Sequence, residues 1–142
     1  MAAHAYKSDK AAAQAPPRAA IPGANLVAEA FLFPAAPEAN DTIEMFTLPK
    51  GAVLADMILD ADDLDTGGTP AIALQVGDGT TADKFFAANN VAQAGGIARM
   101  DKKGNTGAAL AADTKVVVKV STGPATGAAG TIRLTALYNM EK

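Results

Sequence analysis

The densest polar cluster of the chain is Asp60-Ala-Asp62-Asp63-Leu-Asp65-Thr-Gly67-Gly68, which places four carboxylates within six residues. A loop of this kind can hold Ca²⁺, a hard cation that takes about six to eight oxygen ligands. The EF-hand arrangement is not met. Counted from Asp60, the fifth position is Leu64, the sixth is Asp65 where glycine is needed, and the twelfth is Ala71 where glutamate is needed. The pattern therefore favours a solvated acidic loop, whose charges also discourage edge-to-edge pairing of neighbouring strands.

Other candidate motifs reduce to structure in the same way. Gly77-Asp78-Gly79-Thr80-Thr81 has the glycines of a phosphate-cradling loop but not its Gly-Lys-Ser/Thr ending, and reads as a turn after a strand. Asn40-Asp41-Thr42 is formally a glycosylation sequon. The N-terminus lacks the apolar stretch of a secretory signal, so the chain is expected to stay where it is made, and Asn40–Thr42 reads as a turn opening a strand. Asp101-Lys102-Lys103-Gly104-Asn105 is too short for a nucleic-acid patch. Phe85-Phe86 reads as a core anchor rather than a contact patch. His4 is the single histidine and reads as an ordinary tail residue, so no Ser-His-Asp triad assembles. The absence of cysteine excludes a disulfide scaffold, a cysteine-ligated zinc site and a thiol nucleophile. With no grouping of acid, base and nucleophile, the chain is not expected to be an enzyme, and no catalytic, cofactor-binding or metal-ligating residue is expected. No apolar run approaches the roughly 18 residues a membrane span needs.

The elements that would carry these loops follow from composition and period. The 142 residues suit one domain with a tail. Apart from Met1, residues 1–25 contain only Tyr6 and Ile21 as large apolar side chains, and Pro16-Pro17 and Pro22-Gly23 break any helix. They are expected to form an extended arm. Lys7, Lys10 and Arg18 against Asp9 give it a charge opposite to the net −3 of the whole chain. Residues 26–142 are expected to form the folded domain.

There the dominant period is two. Ile72, Leu74 and Val76 alternate with Ala71, Ala73 and Gln75; Val116, Val118 and Val120 alternate with Lys115, Val117 and Lys119; Ile132, Leu134, Ala136 and Tyr138 alternate with Thr131, Arg133, Thr135 and Leu137. Each segment predicts a half-buried strand. Residues 53–60 predict another, with Val53, Ala55, Met57 and Leu59 inward. Residues 42–48 are mixed. Residues 26–33 are apolar on both faces apart from Glu29, which suits a covered position such as a subunit interface. Pro49-Lys50-Gly51 is a hairpin signal, and residues 83–93 predict at most a short helix or an irregular excursion. Six strands with Gly/Pro punctuation predict an all-β antiparallel sandwich or jelly roll. Alanine supplies 34 residues, so the core is expected to be thin and built of small side chains, and oligomerisation is the expected remedy.

Three stretches carry a family resemblance: Thr47-Leu-Pro-Lys-Gly-Ala-Val-Leu-Ala-Asp56, Ala73-Leu-Gln-Val-Gly-Asp78, and Ala82-Asp-Lys-Phe-Phe86. Together with the closing segment 130–139, they resemble the capsid decoration (cement) proteins of tailed bacteriophages. The resemblance implies a β-sandwich of jelly-roll or β-tulip type, commonly trimeric, bound to the major capsid protein on the outer surface of the virion and made in the bacterial host cytoplasm. It implies no catalytic residue, no cofactor, and neither a nucleic-acid nor a membrane partner. The N-terminal arm would reach over neighbouring capsid subunits, so deleting the residues before Leu26 is expected to leave a folded body that no longer binds expanded capsids. The alternative is a phage fibre or tail module or a lectin-like carbohydrate-binding module, against which the absence of tryptophan counts.

Overall fold

Alternation of apolar and polar side chains decides which face each strand buries, and in the computed structural model, which describes residues 3–9 and 23–140, the result is two sheets packed face to face. The strands are β1 (Ala5–Lys7), β2 (Gly23–Leu32), β3 (Thr42–Leu48), β4 (Ala52–Ala61), β5 (Ala73–Gly77), β6 (Phe86–Asn89), β7 (Gly96–Arg99), β8 (Thr114–Thr122) and β9 (Thr131–Met140). One sheet has the order β1-β3-β8-β5-β6 and the other β2-β9-β4-β7. The all-β sandwich expected from the pattern is the fold observed. Its pairings are antiparallel except that of β1 with β3, which is parallel.

Three of the predicted faces hold as read. Ile72, Leu74 and Val76, then Val116, Val118 and Val120, then Ile132, Leu134 and Ala136 are all fully buried, while Tyr138 is half-buried and Val117, expected on the opposite face, is buried as well. In β4 the phase changes partway. The register with β9 shifts between Leu54 and Asp56, which leaves Ala55 as an extra residue in a β-bulge. Ala52 and Leu54 therefore point inward before the bulge and Met57, Leu59 and Ala61 after it, while Val53 is half-buried and Ala55 exposed. Val53 and Ala55 are thus corrected from inward to outward. A second bulge between Glu44 and Phe46 buries Met45 and Phe46 side by side, the reason β3 shows no clean alternation.

Two other expectations change. Pro49-Lys50-Gly51 makes the tight turn, with Ala52 N donating to Pro49 O at 3.1 Å and Gly51 at φ 89°, but it is not a hairpin. It carries the chain from β3 in one sheet to β4 in the other, so the inner faces of the two strands oppose each other instead of sharing a ladder. Residues 83–93 hold β6 and then a 3₁₀ turn, Val91–Gln93. Both short elements are fixed by neighbours: β6 pairs with β5, and Phe85 and Phe86 are buried anchors.

The core is not built of small side chains. Among the described residues only Ala52, Ala61, Ala92 and Ala136 are buried alanines, beside Phe33, Phe46, Phe85, Phe86, Met45, Met57 and a set of leucines, isoleucines and valines. Alanine instead occupies loops and outward strand positions, where a small side chain costs no packing. Thin packing therefore gives no reason for association.

Residues 1–25 were expected to form an arm; of these, 3–9 and 23–25 are described, and residues 10–22 lie outside the described residues. Ala5–Lys7 forms β1. Tyr6 packs on Phe31 and Phe33 with ring centroids 5.3 and 5.9 Å away, joining the β1 end of one sheet to the β2 end of the other. Ser8 is buried; its N–H donates to Glu44 O at 2.9 Å and its hydroxyl to Met45 O, the carbonyl at the β3 bulge. Deleting the residues before Leu26 removes these contacts as well as any reach toward a neighbour.

The bulge in β4 is testable by paired substitution. Leu54→Ala should cost about 2–5 kcal/mol of unfolding free energy, whereas Val53→Ala should cost about 1 kcal/mol or less. Urea unfolding followed by circular dichroism measures both, and equal losses would contradict the inward placement of Leu54.

Candidate functional site

The acidic loop is the leading chemical candidate, and its carboxylates are engaged by backbone N–H groups and by Arg133. Asp65 is fully buried, not solvated. Its Oδ2 accepts the N–H groups of Ala71, Ile72 and Ala125 at 2.6, 3.1 and 2.8 Å, and its Oδ1 accepts that of Thr126 at 2.8 Å. One carboxylate thus ties the loop before β5 to the loop before β9. Burial pushes its pKa up, but the four backbone donors outweigh burial and hold it far below the usual carboxylate range.

The other three carboxylates are also engaged. Asp63 Oδ1 accepts the N–H of Asp65 at 3.0 Å. Asp62 Oδ2 accepts that of Thr131 at 2.9 Å, and this bond chiefly lowers its pKa, partly opposed by burial and helped by Arg133. Asp60 and Asp62 flank the Arg133 guanidinium at 3.2 and 3.3 Å on the surface, where such pairs contribute little. The four groups do not converge on a common point, so the geometry offers no oxygen cage for calcium.

The remaining motifs are structural. In Gly77–Thr81, Asp78 Oδ1 accepts the N–H groups of Thr80 and Thr81 at 2.9 and 2.7 Å. A Cβ on Gly77 would lie 1.9 Å from Thr81 O, which is why glycine stands there. In residues 101–105, Asp101 accepts the N–H of Ala87 and the Asn105 amide donates to Lys84 O and Lys102 O. Asn40 takes a positive φ of 70° in the turn before β3.

Sequence reading missed the grouping of His4, Glu38 and Asp41. His4 is 37 residues from Asp41 in the chain, and the parallel pairing of β1 with β3 brings them together. His4 N donates to Asp41 Oδ1 at 2.7 Å, and Glu38 N donates to Asp41 Oδ2 at 2.8 Å. His4 Nδ1 stands 3.2 Å from Asp41 Oδ1 and 3.6 Å from Glu38 Oε2. Burial first, then the charges of Asp41 and Glu38, raise the pKa of the nearby Tyr6 phenol. Only the Asn40-Asp41-Thr42 turn was visible beforehand, because a parallel edge strand of three residues leaves no period in the sequence.

The outer face of the β2 sheet is the other unusual surface. Along β2 the outward residues Ala24, Leu26, Ala28, Ala30 and Leu32 are all apolar and exposed, with Leu26 at 62% and Leu32 at 64%. Across the same face Leu26 is in register with Leu137 of β9, and Ile97 on β7 is 68% exposed. The strand expected to be apolar on both sides is so, and within one subunit nothing among the described residues covers its outer side.

The geometry thus offers carboxylates that tie loops together and an uncovered apolar row on β2. No protein-family model and no curated protein matches the chain. Solved structures do. A chain from the capsid of Ralstonia phage GP4 is 38% identical over 97% of this chain and 99% of its own, with a TM-score of 0.80. A chain from the cyanophage Pam1 capsid asymmetric unit is 32% identical over 91% of this chain and 96% of its own, with a TM-score of 0.73. A chain from the acid-stable capsid of Helicobacter pylori bacteriophage KHP30 shares the fold, at 20% identity over 86% of this chain and 92% of its own and a TM-score of 0.62. The chain belongs to the family of structural phage capsid proteins represented by the first two.

The Asp65 staple predicts an acid response. A carboxylate whose native pKa lies below its unfolded value adds stability that is present in full above about pH 4 and is lost as pH falls through the lowered native value. Asp65→Asn should lower the urea midpoint most at pH 7, with the gap to the parent narrowing toward pH 2. A variant as stable as the parent at pH 7 would refute this role.

Proposed function

We propose that this protein is a capsid decoration protein, which binds the outside of a tailed-phage head at junctions between capsomers and stabilises the expanded shell, as a homotrimer whose main partner is the major capsid protein. The observation that carries this reading is the exposed apolar row on β2, found in a chain whose relatives are phage capsid chains. Contiguous apolar surface of this kind marks a site of association. Repetition of modest contacts across several copies converts them into tight binding. The role requires no catalysis, cofactor or nucleic acid. The N-terminal segment, residues 1–25, is proposed to contribute to the contact with a neighbouring capsid subunit; within it Ala5–Lys7 pairs with β3.

The lectin-like alternative has less support. The groove beside the 3₁₀ turn presents the amides of Asn89, Asn90 and Gln93, but none of its lining residues is aromatic, so it offers a sugar ring no stacking surface.

Co-sedimentation with expanded capsids tests the reading. The full chain should pellet with them and raise the temperature at which they rupture. Leu26→Asp with Leu32→Asp should retain the β-sheet circular dichroism spectrum but bind at least about tenfold more weakly, a loss of about 1.4 kcal/mol. Sedimentation equilibrium of the free protein should give three times the 14.3 kDa chain mass. Undiminished capsid binding by the double variant would remove the β2 face from the interface, and no binding by the parent chain would end the decoration reading.

A further inference from the structure

We propose that His4 Nδ1, Asp41 Oδ1 and Glu38 Oε2 form a site for a divalent transition-metal ion of the zinc type, which clamps the start of the chain to the turn before β3. The three atoms all lie within 4.8 Å of one another. Tetrahedral zinc with bonds of about 2.0–2.1 Å to nitrogen and oxygen places its ligand atoms about 3.3 Å apart. The two separations from His4 Nδ1, 3.2 Å to Asp41 and 3.6 Å to Glu38, bracket that value. An imidazole nitrogen with two carboxylates selects such an ion over calcium, which takes oxygen alone.

A second observation concerns Glu38. The Glu38 side chain is 31% exposed, but its Oε2 is shielded from solvent and has no hydrogen-bond partner among the described residues, only the His4 imidazole at ion-pair distance. Buried charged oxygens of this kind are costly unless something compensates them. His4 cannot do so by hydrogen bonding, because a single proton on Nδ1 directed at Asp41 Oδ1 leaves Glu38, 3.6 Å away, without a donor. One cation on the open side of the imidazole would meet all three atoms.

The site is also held and reachable as a metal site must be. Asp41 has a fully buried side chain fixed by the N–H groups of His4 and Glu38, an outer shell that sets the carboxylate's direction. The His4 side chain is 51% exposed, which leaves an entry path and a fourth position for water. Since His4 immediately precedes β1, an ion here would reinforce the parallel pairing that Thr42 N and His4 O already make at 3.0 Å.

Titration of the chelator-treated full chain with ZnCl₂ in a calorimeter at neutral pH tests the site. One ion per chain should bind saturably, and zinc should raise the melting temperature. His4→Ala and Glu38→Gln should each weaken binding by at least about tenfold and abolish the thermal shift. Glu38→Gln keeps the side-chain shape and the backbone bond to Asp41, so it isolates the charge, and circular dichroism confirms that each variant folds. Absence of saturable uptake by the parent, or uptake that both folded variants retain, would overturn the proposal.

Discussion

The burial of one face of each sheet against the other is the interaction on which the rest of this structure depends. It needs the strand period to stay in phase, because a slip of one residue turns every side chain to the wrong side. The chain meets that need with apolar residues at every second position of β5, β8 and β9, with register shifts where β5 meets its neighbours, and with bulges in β3 and β4. At Ala55 and Met45 an extra residue resets the phase, so that Leu54 and Met57, or Met45 and Phe46, all reach the interior. With five phenylalanines and no tryptophan, the core draws on leucine, isoleucine, valine and methionine for much of its volume.

A sandwich closed this way leaves the backbone donors of its loops in need of partners, and buried donors without them are costly. Acidic side chains supply the partners. Asp65 serves four N–H groups from two loops, Asp78 serves the turn after β5, and Asp41 serves both the chain start and its own turn. Of these acidic side chains Asp41 and Asp65 are buried, so their charge serves the interior and not the surface. The same arrangement explains why the densest carboxylate cluster offers no cage to a cation: its oxygens already point at backbone amides or at Arg133.

Membership of a phage capsid family gives the uncovered face of β2 a context. A soluble lone subunit gains nothing from five consecutive outward positions without a polar group, whereas a shell component meets neighbours along its surface. The interior holds large buried side chains, so it supplies no reason for association, and the apolar outer row is the feature on which the proposed contact rests. Aromatic contacts of Tyr6 with Phe31 and Phe33 couple the first strand to the inner face of β2, opposite its apolar outer row.

The sequence by itself determined the strand-borne architecture, because a period of two is a local property that shows in any six residues. Six strands, the inward faces of β5, β8 and β9, the turns at Asn40 and Asp78 and the core role of Phe85 and Phe86 were all legible in this way. Only the tertiary structure decided which strands share a sheet, so the Pro49–Gly51 turn crosses between sheets instead of closing a hairpin. It alone placed the bulge in β4, the short strands β1, β6 and β7, the burial of Asp65 and the meeting of His4 with Glu38 and Asp41. These rest on contacts between residues tens of positions apart, where the free energy comes from what a side chain meets after folding and leaves no mark on its neighbours in the chain.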